Sequence, residues 1–475
     1  MSKSAPLIRH LYQRAGFGLD IQTMAQIEKI PLKKALQQLF EQSEPPPDPL
    51  IVLEKPLLDP DKLQAMSKEE RRTTAQQLRK QNREAIKQLN LAWLRQMATG
   101  KAVLREKMAL FWHGHFATQH KSAFMAQLQL QTIRRYALGS FRDLLLAIAQ
   151  DPAMLLFLNN QQNRKQKPNE NFARELMELF TLGRGHYTEQ DIREAARAFT
   201  GWGVEAEDGE TSFVFREKQH DFDSKIFFGQ EGNWGGEDIL NMILARPETA
   251  LFIVRKIYRY LVNDTPNETI VKALAEKFYQ TDYDITTLLK AIFEAEWFYQ
   301  PQHFASQIKS PVEVLIGLQN HLGLSFIQEE GQLFVQKVLG QMLLNPPNVA
   351  GWPGGKNWID SSTLLFRLKL PSILFKAEAI EIEAKEDGDV DTKNLGNDKL
   401  DKFSCQIAWE DLAAMLEKEK TPAQKQSKLQ FYLLGTNTPL PPDYLAVSAG
   451  NEDDPLAWLK STALALCSLP EYQMS

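Results

Sequence analysis

The chain has 475 residues, of which 43% are hydrophobic, and its 55 basic and 60 acidic residues give a formal net charge of -5. This length suffices for one large helical body or for two or three domains. So small a charge on so long a chain predicts neither a nucleic-acid-binding protein nor an acidic tail protein. No apolar run approaches the roughly 20 residues that are needed to cross a bilayer.

Two further features bear on the compartment. The chain has only two cysteines, Cys405 and Cys467. They could pair, but so low a cysteine content favours two reduced, partly buried thiols. The N-terminus lacks the apolar segment of a signal peptide. The default expectation is therefore a soluble protein of the cytoplasm, with export by another route left open.

The first 42 residues predict two or three short helices. The first helix ends in Arg-Ala-Gly-Phe-Gly, a loop with two glycines that follows His10 and Arg14. This pair indicates either an anion-binding site near the glycine loop or a polar helix edge. Residues 45–60 are rich in proline and predict a linker or a strap over the surface. Ser67 and Glu70 form a capping box that opens a long helix.

The next helix leads into Phe-Trp-His-Gly-His-Phe, where His113 and His115 flank Gly114. A spacing of two is common for pairs of metal ligands in strands and bends, whereas within a continuous helix the two rings would point apart. Gly114 weakens a helix, which places the histidines at a helix end or bend. The pair predicts either metal binding or one core hydrogen bond and one helix cap.

Residues 169–202 hold the most informative stretch, which begins with Asn-Glu-Asn-Phe-Ala-Arg-Glu-Leu-Met-Glu-Leu-Phe. Glu175 and Glu178 lie about one turn apart on one helix face. Arg174 is within reach of Glu170 and of Glu178. One interpretation is a buried arginine that holds packed helices together through its carboxylates. The other is an acid/base carboxylate whose pKa is shifted by the arginine and by burial.

After a helix that is capped by Thr188 and Asp191, the periodicity changes. Residues 213–215 and 226–228 predict two short strands, and we expect them to form a small β-hairpin near residues 212–229. Further along, a basic edge on one helix (Arg255, Lys256 and Arg259) is far too small to indicate nucleic-acid binding.

Between the predicted strands, the sequence His-Asp-Phe-Asp supplies three groups of metal-ligand type on a loop. Together with the two histidines and the glutamate pair upstream, they form the imidazole and carboxylate set that zinc, iron or manganese sites use. The candidate catalytic residues are Glu175, Glu178, His220 and Asp221; the candidate metal ligands are His113, His115 and Asp223; the candidate binding residues are His10, Arg14, Arg174 and Trp352.

The C-terminal part begins with a loop at residues 345–358 that is rich in proline, glycine and tryptophan. It predicts either a loop that covers a substrate or a strap that packs on the body. We expect a helical domain at 1–375, an acidic flexible insertion at 376–402 and a C-terminal helical segment at 403–475 that packs on the main body.

Six segments in chain order carry a resemblance to a known family. They are His-Leu-Tyr-Gln-Arg-Ala-Gly-Phe-Gly, Phe-Trp-His-Gly-His-Phe, the stretch Asn-Glu-Asn-Phe-Ala-Arg-Glu-Leu-Met-Glu-Leu-Phe-Thr-Leu-Gly, Ala-Phe-Thr-Gly-Trp, His-Asp-Phe-Asp and Pro-Pro-Asn-Val-Ala-Gly-Trp-Pro-Gly-Gly. The combination resembles the bacterial domain-of-unknown-function 1800 family. The resemblance implies a mainly helical fold. It also implies a frequent genomic neighbour, the domain-of-unknown-function 1501 family, whose members commonly carry export signals. It implies no reaction.

Two hypotheses of function follow. The first is an enzyme of hydrolase type, whose histidines and carboxylates line one cleft, with or without a divalent metal. The second is a non-catalytic helical scaffold that binds a partner, such as a protein of the 1501 family. The sequence lacks a phosphate-binding loop, a nucleophile elbow and a Cys-x-x-Cys pair. The first hypothesis requires the distant polar segments to fold together.

Overall fold

The structure, a computed structural model, describes residues 4–27, 29–57, 66–98, 102–207, 210–376, 403–435 and 454–475. Over these ranges the chain is mainly α-helical, as the sequence predicts, with three small two-stranded sheets. The predicted acidic insertion lies outside the described residues except for its first position. None of the described helices is both long and apolar enough to cross a membrane.

The helices follow one another along nearly the whole chain. In the first half they are α1 (Ala5–Ala15), α2 (Ile21–Ile27), α3 (Leu32–Ser43), α4 (Lys68–Ala98), α5 (Val103–His115), α6 (Ala123–Tyr136), α7 (Phe141–Ala149), α8 (Pro152–Phe157), α9 (Asn171–Glu175) and α10 (Glu189–Ala198). In the second half they are α11 (Gly236–Leu244), α12 (Pro247–Leu261), α13 (Glu268–Gln280), α14 (Ile285–Phe293), α15 (Pro311–Leu322), α16 (Glu330–Leu339), α17 (Ser361–Lys376), α18 (Trp409–Leu416), α19 (Pro422–Leu434) and α20 (Pro455–Cys467).

Helical periodicity explains how these segments reach the core. In α14 the fully buried side chains are Ile285, Leu288, Leu289, Ile292 and Phe293, at the spacing of one helix face. Buried side chains from α1 and from α20 belong to the same hydrophobic cluster. Since the first and last helices share that cluster, the two ends of the chain lie against the same core.

The strands correct one prediction. They are β1 (Trp202–Glu207) paired with β2 (Glu210–Phe215), β3 (Lys225–Phe227) with β4 (Gln230–Gly232), and β5 (Ser325–Phe326) with β6 (Cys405–Gln406), all antiparallel. The single hairpin predicted near 212–229 is wrong, because its two strands lie in separate hairpins. Phe228 and Gly229 have φ of 49° and 74°, the left-handed pair of a two-residue hairpin turn, so β3 folds back on the residues that follow it.

The proline-rich segment is a strap rather than a free linker over its described residues. The amides of Val52 and Leu53 donate to Gln127 Oε1, over 2.7 and 3.1 Å. Arg134 Nη1 donates to the carbonyl of Asp48 over 3.0 Å. Each bond satisfies a backbone group that a strand or helix would otherwise have to pair. The strap is therefore held on α6.

The cap of α8 contains a carboxylate with an unusual titration. Asp151 Oδ1 accepts hydrogen bonds from the Met154 amide and from Gln129 Nε2, both over 3.1 Å. Burial raises the pKa of Asp151 to about 7. The folded state therefore binds this proton more readily than the unfolded state, where an aspartate titrates near 4. The stability that protonation contributes is present at acid pH and is lost as the pH rises towards 7.

We expect Asp151→Asn to become progressively more stable than the wild type as the pH rises. The amide keeps the accepting oxygen but carries no charge, so between pH 5 and 8 the variant should gain up to about 3 kcal/mol on the wild type. Urea unfolding at both pH values measures the difference. Asp284→Asn, the same change at the half-exposed cap of α14, reports the cost of the substitution itself. A difference that does not change with pH would contradict the assignment.

Candidate functional site

Helix α5 is the element on which the predicted segments meet. The helix is buried on most sides, and Phe111 and Gly114 are among its few partly exposed positions. The ring of Phe17, from the glycine loop after α1, lies 5.4 Å from Lys107 Nζ. Gly351, from the tryptophan-rich loop, packs against the carbonyl of Gly114 so closely that a side chain there would overlap it. The first, second and last motifs therefore share one neighbourhood.

The two histidines of α5 lie within the helix and not at a bend. Gly114 does not interrupt α5, which continues to His115, because the tertiary packing of this buried helix outweighs the propensity cost of one glycine. His113 and His115 therefore point to different neighbours, as two positions in a helix must. The sequence predicts a helix end or a bend: the bend is absent, but the helix end is confirmed, since α5 ends at His115. The alternative of one core and one capping histidine describes the geometry.

His113 binds the tryptophan-rich loop. Its Nε2 accepts a hydrogen bond from the Leu344 amide over 3.1 Å, and its ring lies 5.3 Å from that of Trp352 and 5.2 Å from that of Trp93. Burial lowers the pKa of His113 to about 4. The neutral ring therefore holds the start of the loop on α5, and Trp352 lies half-buried against it.

His115 contacts the end of the third motif. After α9 the chain continues as a π-helical turn (Leu176–Thr181), in which the Leu182 amide donates to the Met177 carbonyl five residues back. The last carbonyls of any helix lack partners within the helix. His115 Nε2 donates to the Phe180 carbonyl over 3.0 Å and so satisfies one of them.

Lys256 of α12 satisfies the neighbouring carbonyl. Its Nζ donates to the Leu179 carbonyl over 3.1 Å and to His115 Nδ1 over 3.0 Å. The basic edge predicted on this helix is therefore divided, since Arg255 faces outward and pairs with Glu268 over 2.7 Å. Burial lowers the pKa of Lys256 to about 8. Burial, with Lys256 beside the ring, also holds the pKa of His115 well below its usual value.

The carboxylates of the third motif turn away from α5. Arg174 pairs with Glu170 over 3.0 Å and with Glu189 over 2.9 Å, and its side chain is 36% exposed. Glu178 pairs instead with Arg184 over 2.6 Å. Glu175 is half-buried, and burial together with Glu178 raises the pKa of Glu175. The arginine is thus a partly exposed brace between α9 and α10, and the buried arginine predicted from the sequence is wrong.

The fourth and fifth motifs bind each other. His220 Nδ1 donates to the Thr200 carbonyl over 2.7 Å, and the Asp221 amide donates to Thr200 Oγ1 over 2.8 Å. Asp221 also pairs with Arg197 over 2.7 Å. Asp223 is exposed, and its carbonyl accepts from Lys225 Nζ over 3.0 Å. Burial lowers the pKa of His220. These contacts fasten the loop before β3 to the end of α10.

The predicted site therefore does not assemble as one constellation. Within the part of the chain that the structure describes, no three His, Cys, Asp or Glu side chains are placed to hold a metal together. The candidate ligands His113, His115 and Asp223 lie in different neighbourhoods, and each histidine has a nitrogen already bonded to a backbone group. The physical reason is local: backbone groups at helix ends and loops take up these side chains first.

Arg14 and His10 behave differently from the other candidates. Arg14 is 1% exposed, and its Nη2 donates to the His303 carbonyl over 2.6 Å and to Ser306 Oγ over 2.8 Å. Its Nε and Nη1 have no hydrogen-bond partner. His10 stacks on Phe304 at 4.3 Å between ring centres, and its Nε2 also lacks a partner. Burial and then Arg14 hold the pKa of His10 well below its usual value.

Arg14 belongs to a group of buried charges that the sequence analysis did not identify. Glu313, near the start of α15, forms an ion pair with Lys107 and accepts from the Ser310 amide over 2.7 Å. Its carboxylate also acts electrostatically on Arg14, Lys309 and Arg367. We call this group the cationic cluster; it consists of Arg14, Lys107, Lys309 and Arg367 around Glu313.

The cationic cluster is short of negative charge. Arg14, Lys107 and Arg367 face Glu313, and both Glu313 oxygens are already bonded. Burial lowers the pKa of Lys309 to about 7, so this lysine is only partly charged at neutral pH, and Asp264 adds a weaker electrostatic effect on Arg14. Arg367 is fully buried; its Nη1 donates to the Lys309 carbonyl over 2.9 Å, but its Nε and Nη2 have no partner. Burial lowers the pKa of Arg14 to about 9 and that of Arg367 to about 10. Both guanidinium groups therefore stay charged at neutral pH.

Two sequence signals could have identified this cluster. Lys107 directly precedes the apolar stretch Met-Ala-Leu-Phe-Trp of α5, and a lysine is buried only with a partner. Ser310 and Glu313 form a capping box around Pro311, which fixes where the carboxylate points. Neither signal identifies the two arginines of the cluster. Arg14 lies about 300 residues before Glu313 in the chain, and Arg367 lies more than 50 residues after it.

A separate cavity of about 1210 Å³ lies between α3 and α14. Its lining mixes apolar and charged side chains, including Phe40, Arg105 and Lys290, and contains none of the predicted site residues. It is therefore not the place where the motifs meet.

Comparison with known proteins gives one match. The family model described as "Protein of unknown function (DUF1800)" matches residues 10–474. No protein with curated function and no solved structure matches the chain. The match covers nearly the whole chain, and its description contains no reaction or ligand.

Proposed function

The chain belongs to the family described as protein of unknown function (DUF1800), and from the charges in its interior we propose that it binds a small anionic ligand at the cationic cluster. The ligand class is a carboxylate or phosphate group. The observation that carries the proposal is the pair of buried guanidinium groups, on Arg14 and Arg367, that each have two nitrogens without a partner.

The energetic argument rests on burial. An uncompensated charge in a protein interior costs several kcal/mol, and buried polar groups are almost always hydrogen-bonded. In the cationic cluster Lys107 is paired with Glu313, but Arg14 and Arg367 each keep two nitrogens without a hydrogen-bond partner. A carboxylate or phosphate supplies both the missing charge and the missing acceptors, and guanidinium groups bind these planar or tetrahedral anions through two parallel bonds.

This proposal retains part of the hypotheses from the sequence. Arg14 keeps the anion-binding role that was one of its two interpretations. The hydrolase hypothesis required the imidazoles and carboxylates of separate motifs to share a cleft, and the contacts of His113, His115 and His220 give it no support. The scaffold hypothesis and its partner of the 1501 family stay predictions, because the family match contains nothing about a partner.

We expect inorganic phosphate to stabilise the wild-type protein more than sodium chloride does at equal ionic strength. A ligand that binds only the folded state stabilises it by about 2.7 kcal/mol at one hundred times its Kd. Urea unfolding over a phosphate series measures the effect. Arg14→Gln should lose the phosphate response, because it removes the unpaired donors.

The matched control is Arg105→Gln. Arg105 is as buried as Arg14, but its three nitrogens all donate to the carbonyls of residues 43, 44, 134 and 135. This variant should lose stability and yet keep the phosphate response. A wild type that responds equally to phosphate and chloride would overturn the proposal, as would Arg14→Gln that keeps the response. If only buried water occupied the cluster, the wild type would respond equally to phosphate and to chloride.

A further inference from the structure

Lys256 is a partly buried lysine that forms no ion pair with a carboxylate among the described residues. Its Nζ donates to His115 Nδ1 over 3.0 Å and to the Leu179 carbonyl over 3.1 Å, and it lies 4.7 Å from the centre of the Phe252 ring. Among the described residues no ion pair includes Lys256. By contrast, Lys107, on the helix beside it, is neutralised by Glu313. A lysine with neutral partners loses its proton more easily when it is removed from water.

The tautomer of His115 is set by its other nitrogen. Nε2 faces the Phe180 carbonyl, which can only accept, so Nε2 must carry the ring proton. Nδ1 is then a lone pair, and it accepts from Lys256. The histidine thus holds the amine in one direction without adding a negative charge. This positions Nζ and leaves the amine free to lose its proton.

The amine is also reachable. Lys256 is half-buried, and so is Phe252, the ring over which its Nζ lies. The carbonyl that anchors Lys256 belongs to a π-helical turn, a form that often marks functional sites. The amine therefore lies beside the Phe252 ring, on a helix whose side chains here are partly exposed.

We propose that Lys256 is a site of covalent amine chemistry, which condenses with the carbonyl group of a small aromatic or apolar aldehyde or ketone to form an imine. The Nζ lone pair attacks the carbonyl carbon and a C–N bond forms. The carbonyl oxygen takes up the two hydrogens of the amine and leaves as water, so no oxidant or reductant is needed. Lysines that are desolvated and lack an anionic partner are the ones that react in this way in enzymes. The inference is independent of the cationic cluster.

The test is reductive trapping on the wild-type protein. Benzaldehyde and sodium cyanoborohydride are added at pH 7, and the adduct at each lysine is followed by peptide mass spectrometry. Burial lowers the pKa of Lys256 to about 8, so at pH 7 its neutral amine is roughly two hundred times more abundant than that of an exposed lysine. A partly buried amine is less accessible, and we therefore expect Lys256 to be labelled at least about tenfold faster. Lys272, which is exposed on the adjacent α13, is the internal reference.

Two further measurements distinguish chemistry from a structural role. Unfolding the protein in urea should abolish the preference for Lys256, because the fold creates it. Lys256→Arg keeps the donors that cap the π-helical turn and should fold, with one adduct fewer per chain. A Lys256 that is labelled no faster than Lys272 in the folded protein would overturn the proposal and identify Lys256 as a helix cap alone. A preference that survives in urea would overturn it too.

Discussion

Replacing Glu106 by alanine is expected to lower the free energy of unfolding by about 3–5 kcal/mol. Glu106 is fully buried in α5 and receives Arg134 Nη2 over 2.6 Å and Arg134 Nε over 3.0 Å. Trp93 Nε1 donates to the same carboxylate over 2.8 Å. The alanine would leave Nε and Nη2 of the buried Arg134 and the buried Trp93 indole without an acceptor, and these groups lose the hydration they would have in the unfolded chain.

Urea unfolding of Glu106→Ala and of the wild type measures this loss. Glu268→Ala is the matched control, since Glu268 lies in α13 and pairs with Arg255 over 2.7 Å but its side chain is 51% exposed. An exposed ion pair is worth about 0–1 kcal/mol, so the control should unfold almost as the wild type does. Similar losses in the two variants would show that burial does not determine how much an ion pair contributes to the free energy of unfolding.

Gly351→Ala is the second substitution with a large expected effect. Gly351 has φ of +79°, a left-handed conformation that alanine adopts at a cost, and a Cβ there would overlap the Gly114 carbonyl oxygen. Neither atom can move without a shift of the backbone of α5 or of the loop at 345–358. We therefore expect a loss of about 2–4 kcal/mol, the sum of backbone strain and overpacking.

The loss should be local as well as global. A loop displaced from α5 would break the hydrogen bond from the Leu344 amide to His113, so hydrogen exchange at Leu344 should become faster. Gly354→Ala is the control in the same loop, because Gly354 has φ of -119° and no atom within 4 Å of its Cβ position. Equal effects at Gly351 and Gly354 would refute the close contact between this loop and α5.

The helical fold followed from local features that the sequence displays directly. The Thr188–Asp191 capping box forms, with the Thr188 amide 2.8 Å from the Asp191 carboxylate. The Ser67–Glu70 box forms too, over 2.8 and 3.3 Å. Such signals act within one helix turn, so a single sequence contains everything they need. The prediction of a hairpin near 212–229 is wrong because the position of the turn decides which strands pair. The turn lies at Phe228 and Gly229, and a phenylalanine is typical of a strand, so the sequence did not indicate a turn there.

The candidate site was predictable only in part. The sequence identified the segments that matter, and four of the six, the first, second, third and last, meet at α5. It also attached significance to Arg14 and to both histidines. It could not show that His220 is bonded by Thr200 or that Glu178 is paired with Arg184. Those bonds depend on how two helices and a loop pack against each other. The periodicity of hydrophobic residues predicts each element separately and does not predict that packing.

The sequence by itself determined the helices, their caps and the family. Only the tertiary structure decided which buried groups keep unpaired donors, as Arg14 and Arg367 do, and which lysine has neutral partners only, as Lys256 does. The reason is that hydrogen bonding of a buried group is a sum over every neighbour from every element. A residue type states what a side chain can donate or accept. Its partners, and therefore its pKa and its reactivity, are set by chain segments far away in sequence.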